Sequence, residues 1–510
     1  MAHRNGRNPL LNKRLWGIPL GCRHSGAHLG KALDYDAPMM AAFLVRLRAA
    51  VSCLPLLGAA CAIGEEVHDE AAPPPNVLVI LTDDQRWDSM SVTGNALVDT
   101  PNLDRLAHDG VRFANAFVTT PICAASRATL FTGDYECAHG FTFATPPLAE
   151  PWVAASYPVR LRQAGYRTGF VGKFGVKVPQ GGEQRMFDSY APLNPPYFKK
   201  QKDGTQRHLT DLSIDRAIEF LDGCKQDQPW CLSISFNAPH AVDGDPQQYF
   251  WPAAQDAVYA ETRWPVPATM TDEFFAGLPE FLRTSESRVR FGWRFDEPSK
   301  YQRMVTGYHR MIRGVDAAVG RLRDELQRRG LADNTVIVFL SDNGYFLGER
   351  GLAGKWYGYE ESLRVPLVVV DPRQKARAGR VVEVPALNVD VAPTVLDYAG
   401  LPAVMQGRSL RPLVRGEVPA DWRTDFLFEH RFKHARIPES EGVRDARFTY
   451  IRWYEQKPVV EELYDRDADP AQLHNVVGDP AHAATLARLR ARTDELRDGY
   501  SAVPPEVSDR

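Results

Sequence analysis

Residues 121–133 read P-I-C-A-A-S-R-A-T-L-F-T-G, with Cys123 four positions before Arg127. Ala124, Ala125, Ala128, Thr129, Leu130 and Phe131 predict a buried helix whose first turn holds Cys123. Residues four apart share a helix face, so the guanidinium of Arg127 lies beside the thiol. Unpaired N–H groups and a partial positive charge make a helix N-terminus a place for an anion. A nucleophile, a cation and an anion-binding backbone thus coincide in one turn.

Acidic residues sit at the ends of two apolar runs. Val77-Leu78-Val79-Ile80-Leu81 has the length and composition of a strand covered on both faces, and it ends in Thr82-Asp83-Asp84-Gln85. Adjacent carboxylates at the end of a buried strand repel one another unless a cation is present. Far downstream, Val336-Ile337-Val338-Phe339-Leu340 repeats the pattern and ends in Ser341-Asp342-Asn343-Gly344. In open α/β sheets ligands bind at the carboxyl edge of the strands. Two strands delivering only oxygen donors to that edge favour Ca²⁺ or Mg²⁺ over zinc.

Several elements must position these groups. Residues 167–171 predict a strand ending in Gly172-Lys173-Phe174-Gly175, and residues 232–236 another ending in Asn237-Ala238-Pro239-His240. Ile312, Val315, Val319, Leu322 and Leu326 define an amphipathic helix stopped by Gly330. A short helix over 156–166, a buried strand over 365–370 and a helix over 388–400 complete the central pattern. Residues 241–305 read as a long insertion rich in aromatics and arginine. Such residues stack on sugar rings and pair with sulfates, or else pack the loop against the body. After Pro419 the composition changes: 426–429, 447–453 and 461–464 predict short strands, and 481–496 a closing helix.

The run Cys123 to Gly133 resembles the signature of the type I sulfatases, with Ala125 where proline is commoner. In that family, part of the alkaline-phosphatase-like superfamily, the cysteine is oxidised to Cα-formylglycine, whose hydrated aldehyde attacks sulfur. The resemblance extends in order through Asp83-Asp84, Gly172-Lys173, His240, Asp342-Asn343, the Lys355 segment (G-K-W-Y-G-Y-E-E-S-L-R-V-P) and the C-terminal E-L-Y-D. It implies an α/β fold: a mixed, mostly parallel central sheet sandwiched by helices, with a smaller C-terminal antiparallel sheet plus helix. The implied metal ligands are Asp83, Asp84, Asp342, Asn343 and the modified residue 123, around one divalent cation, Ca²⁺ first and Mg²⁺ second. Arg127, Lys173 and Lys355 would hold the sulfate and His240 would face the leaving group. Gly175 stands where many members have a histidine. The implied reaction is hydrolysis of a sulfate monoester, on a sulfated carbohydrate or aryl sulfate. The alternatives are a phosphodiester or phosphonate monoester hydrolase of the same superfamily and an unmodified glycan-binding protein.

The chain has 510 residues, 44% hydrophobic and 25% charged, with a net charge of −3. That is a globular composition, and it argues against a nucleic-acid binder. Arg46 and Arg48, the apolar stretch 49–62 and Ala60-Cys61-Ala62 read as a secretory signal peptide, with a start at Met39 or Met40. Secretion or a periplasmic location follows, with lipid anchoring at Cys61 the minor alternative and no transmembrane segment in the mature chain. The expected organisation is a leader and linker over 1–75, a catalytic domain over 76–418 and a C-terminal subdomain over 419–510. The expected partners are a sulfated small molecule or glycan and a formylglycine-generating maturation enzyme. Cys224 and Cys231 flank a short loop that either a disulfide closes or two separate thiols border.

Overall fold

The computed structural model describes residues 73–501. Eight strands form the central sheet: β1 (Asn76–Thr82), β2 (Val111–Phe113), β3 (Arg167–Gly172), β4 (Ser189–Pro192), β5 (Trp230–Ser235), β6 (Thr335–Ser341), β7 (Leu367–Val370) and β8 (Arg380–Val382). Their spatial order is β8-β2-β7-β6-β1-β5-β3-β4. Only β7 runs antiparallel to its neighbours, and the other pairings are parallel.

The continuous apolar runs follow from double-sided burial. Val77, Val79 and Leu81 of β1 face a cluster containing Phe131, Leu161 and Leu396. Leu78 and Ile80 face a second cluster with Leu106, Phe220 and Ile312. Helices α2 (Cys123–Thr132), α3 (Tyr157–Gln163) and α7 (Val391–Tyr398) supply the first layer. Helices α1 (Pro101–Asp109), α4 (Leu209–Asp222) and α6 (Pro298–Arg328) supply the second.

A separate antiparallel sheet contains β9 (Phe426–His430), β10 (Ser440–Arg444), β11 (Phe448–Trp453) and β12 (Val460–Asp465) in sequential order, with α8 (Ala483–Tyr500) contributing Leu486, Leu489 and Leu496 to its core.

One element boundary is corrected, one strand is added, and the two readings of the Cys224–Cys231 loop are decided. Helix α6 begins at Pro298, well before the predicted 312, so the end of the supposed insertion is helical. Strand β10 was not predicted. Cys224 and Cys231 are both free: Cys231 is buried in β5, and Cys224 directs its thiol at the Phe220 carbonyl. The expected secretory leader, with Cys61, lies outside the described residues. Among the described residues, no helix is long and apolar enough to cross a membrane.

Candidate active site

Strand register brings the chemistry together. Thr82 pairs with Ser341 and Leu81 with Ser235, while Ser235 also pairs with Gly172. The carboxyl ends of β6, β1, β5 and β3 are therefore adjacent. They present Asp342-Asn343, Asp83-Asp84, the segment to His240, and Lys173 to one rim. Asp84 takes a φ of 71°, a left-handed conformation uncommon outside glycine. Its carbonyl accepts from the Tyr308 hydroxyl at 2.8 Å. This strained turn aims consecutive carboxylates at different partners, as strain at functional sites commonly does.

Helix α2 enters the rim at its N-terminus. All ten of its residues are buried, and Cys123, its first, is 7% exposed. Arg127 is 1% exposed and spans the site. Its Nε donates to Asp342 Oδ2 at 2.8 Å, its Nη2 reaches Asp83 Oδ2 at 3.4 Å, and its Nη1 donates to the Lys173 carbonyl and the Ser235 hydroxyl. Lys173 Nζ pairs with Asp83 Oδ2. Lys355 Nζ, 3% exposed as a residue, pairs with Asp84 Oδ1 and lies 3.8 Å from Asp83 Oδ1. Asn343 Nδ2 donates to Asp84 Oδ1 at 2.6 Å. Among the residues in the sequence expectation, all thus stand at one rim.

Three buried carboxylates face two buried cations and the half-buried Lys173, and the charges hold one another in place. Burial alone would push Asp83 up, but Lys173, His240, Lys355 and Arg127 together pull it well below the usual carboxylate range. Asp342 goes the other way, up to about 6, because burial and the Asp83 charge outweigh Arg127. Lys355, Lys173 and Arg127 are each raised: burial opposes their charge, but the neighbouring carboxylates and Cys123 outweigh it. His240 is lowered to about 4, first by burial and then by Lys173. Its Nδ1 lies 2.6 Å from the Ala241 carbonyl, which fixes the proton on Nδ1 and leaves Nε2 free, 3.8 Å from Asp84 Oδ2.

The donor set fits a hard divalent cation. Asp83, Asp84 and His240 can each offer a ligand atom within 4.8 Å of the others. Two buried oxygens, Asp83 Oδ1 and Asn343 Oδ1, have no hydrogen-bond partner, an arrangement that is costly unless something positive meets them. Asp342 stands beside this group with both oxygens engaged, Oδ1 by the Asp84 N–H at 3.2 Å and Oδ2 by Arg127.

Gly175 is more than a missing side chain. Its φ is +72°, and a Cβ there would stand 2.9 Å from Cδ of Arg127. The backbone passes so close to the arginine stem that a histidine at this position would be strained.

The rim opens into a cavity of about 610 Å³. Cys123, Lys173, His240 and Lys355 line its inner end. Its outer end is lined by residues that the sequence reading did not assign: Phe143, Asp243, Glu286, Arg290, Phe432 and Arg436 among them. Helix α5 (Glu286–Arg294) carries two of these. The aromatic and arginine content of the insertion was the available signal. Most of that content packs instead: Tyr249, Trp264, Phe291 and Phe295 are buried in the second core cluster.

A model of the sulfatase family matches residues 75–401, and one described as N-sulphoglucosamine sulphohydrolase, C-terminal, matches residues 348–499. The N-acetylglucosamine-6-O-sulfatase of Bacteroides thetaiotaomicron is 28% identical, over 89% of this chain and 92% of that protein. A solved enzyme in complex with its substrate D-glucosamine-2-N,6-O-disulfate superposes with a TM-score of 0.73 at 27% identity, covering 85% of this chain and 100% of that one. The phosphonate monoester hydrolase of Agrobacterium radiobacter gives a TM-score of 0.70 at 26% identity, over 84% and 96% of the two chains.

Proposed function

The chain belongs to the sulfatase family, and from that premise we propose that it hydrolyses a sulfate monoester of a carbohydrate, with Cys123, oxidised to Cα-formylglycine, as the nucleophilic residue. The observation that carries this reading is the ring of Arg127, Lys173 and Lys355 around Cys123 at the rim where Asp83, Asp84 and Asp342 converge. Relatives named for sulfated glucosamine support the carbohydrate.

Asp83, Asp84, Asn343 and, at their edge, Asp342 would hold the divalent cation, Ca²⁺ before Mg²⁺ because every one of these donors is oxygen. When bound, the ion supplies Lewis acidity toward the ester oxygens and lowers the pKa of the nucleophilic hydroxyl. The aldehyde hydrate at residue 123 supplies two hydroxyls on one carbon, so the sulfate can leave without a second water. Without the ion, three carboxylates balance three cations. With a divalent ion held there, these residues would leave a surplus of positive charge for the sulfate. Lys173 and Lys355 stabilise charge gathering on its oxygens, the electrostatic contribution that usually dominates. Arg127 holds the Asp83 and Asp342 carboxylates in register. His240, with Nδ1–H tied to the Ala241 carbonyl, presents Nε2 to the leaving oxygen; it donates there only as the imidazolium, protonated on both nitrogens, a form that the negative charge of the bound ester favours. The leader expected over residues 1–75 would carry the chain to the periplasm or outside the cell, and an endogenous maturation enzyme would oxidise Cys123.

The second reading, phosphonate monoester hydrolysis, is favoured by the Agrobacterium radiobacter neighbour. Parallel turnover of 4-nitrophenyl sulfate and a 4-nitrophenyl phosphonate monoester, with protein from a maturation-competent host, separates the two. Sulfate turnover is expected to be the faster. A phosphonate preference of about tenfold or more would reverse the assignment.

A further inference from the structure

The outer end of the cavity is built from two unlike walls that the hydrolytic step does not use. One wall is aromatic. Phe143 is 43% exposed and lies 5.0 Å from Phe432, whose ring in turn lies 5.9 Å from His434 at an interplanar angle of 22°. An exposed phenylalanine tilted 37° against another ring at a cavity mouth contributes little to the core, whereas it offers a face to a ligand. The other wall alternates in charge. Arg290 Nη2 pairs with Asp243 Oδ2 at 2.7 Å, Arg290 Nε faces Glu286 Oε1 at 3.5 Å, and Arg436 Nη2 reaches Glu286 Oε2 at 2.6 Å.

This second wall is held rigidly. Arg294, fully buried, donates to Asp243 from behind and to Gln248 Oε1 at 2.6 Å. The Arg290 guanidinium lies over the Trp356 ring at 4.8 Å. The Glu286 N–H donates to the Arg436 carbonyl at 2.7 Å, which clips the 432–437 segment to the start of α5. Fixed carboxylates and guanidiniums in alternation provide acceptors and donors side by side. A sugar hydroxyl uses both at once, and an alkyl or plain aryl group uses neither.

We propose that this outer half is a saccharide subsite that selects the substrate: one face of a pyranose ring rests on Phe143 and Phe432, while the ring hydroxyls bind along Asp243, Arg290 and Glu286. The subsite rests on the reading of the inner rim as a sulfate-ester pocket. The cavity has the volume of a site for a whole small ligand and far exceeds the needs of a sulfate group.

Calorimetric titration of the full chain carrying Cys123→Ala tests binding without turnover. The probes are glucose 6-sulfate, N-acetylglucosamine 6-sulfate, hexyl sulfate and inorganic sulfate, against Phe143→Ala, Phe432→Ala and Arg290→Gln added singly. The sugar sulfates should bind at least about tenfold tighter than hexyl sulfate. Each added substitution should weaken the sugars about tenfold and the two ringless probes by less than about threefold. Phe143 is exposed, so its substitution keeps the test clean should Arg290→Gln perturb folding. Equal weakening of all probes, or sugar sulfates binding no tighter than hexyl sulfate, overturns the subsite. Turnover of the same esters by the matured wild type reports separately. Should no sulfate be released while the binding pattern holds, the reaction falls and the subsite stands.

Discussion

The inner rim and the outer walls of the same cavity are made in opposite ways. The rim residues sit at the ends of adjacent parallel strands, nearly free of solvent, with each carboxylate met by a cation. The outer walls come from segments between regular elements and from one short helix, and their key side chains are partly open to solvent. Parallel pairing converts motifs far apart in sequence into neighbours, because a strand end can lie only beside the end of its partner. Loop-borne walls have no such constraint. The fold therefore fixes where the ester is cut and leaves free which ester enters.

Substitutions should separate the two regions. Cys123→Ala should lower kcat by at least about a thousandfold on every sulfate ester, since no other group at the rim supplies the nucleophile. A loss confined to sugar esters would instead put residue 123 among the specificity groups. Arg127→Ala strips compensation from Asp83 and Asp342, and denaturant unfolding should show a loss of about 3–5 kcal/mol. A loss below 1 kcal/mol on the order of a surface pair would mean that the rim is not the rigid region described.

Cation binding should sharpen the same contrast. With Ca²⁺ at a hundredfold its dissociation constant, the native state should gain about 2.7 kcal/mol against a chelator-treated sample, read as a rise in Tm. The gain should persist in Phe143→Ala and vanish in Asp83→Asn paired with Asp84→Asn. Gly175→His should restore nothing. The left-handed backbone and the nearby Arg127 stem make it destabilising by about 1–2 kcal/mol, and thermal unfolding would expose the opposite sign.

An effect of similar size, confined to one pH range, lies away from both regions. Asp134, just after α2, is held up to about 7 by burial, with only the Gln406 N–H accepted at 3.2 Å. Its pKa is higher folded than unfolded, so the native state binds the extra proton. Stability falls as pH rises from about 4 to 7 and stays lower above. Asp134→Asn should therefore gain about 1–3 kcal/mol at pH 8 and nothing below pH 4. A gain independent of pH would remove burial of this carboxyl as the cause.

Much of the rim was legible because two apolar runs five residues long, each with an acid two positions beyond its end, admit few readings other than buried parallel strands. Strand β10 was illegible for the converse reason. Its S-E-G-V-R is polar, and it is buried through ion pairs, Glu441 with Arg452 at 2.5 Å and Arg444 with Glu360 at 2.5 Å. The early start of α6 was hidden by its interior glycines. At Gly307 a Cβ would come within 2.9 Å of Tyr249, so what reads as a helix breaker is a close crossing of the 249–252 segment. Phe143 belongs to one non-periodic stretch and Phe432 and Arg436 to another, and only folding brings the two to one cavity.

The most direct test is the mass of the tryptic peptide containing Cys123, taken from protein made in a maturation-competent host and assayed for sulfate release in the same preparation. An aldehyde in place of the thiol, present in proportion to the activity, is the expected result. Full sulfate-ester turnover by protein whose residue 123 is entirely unmodified thiol would contradict the assignment of the nucleophile and, with it, the chemistry proposed for the rim.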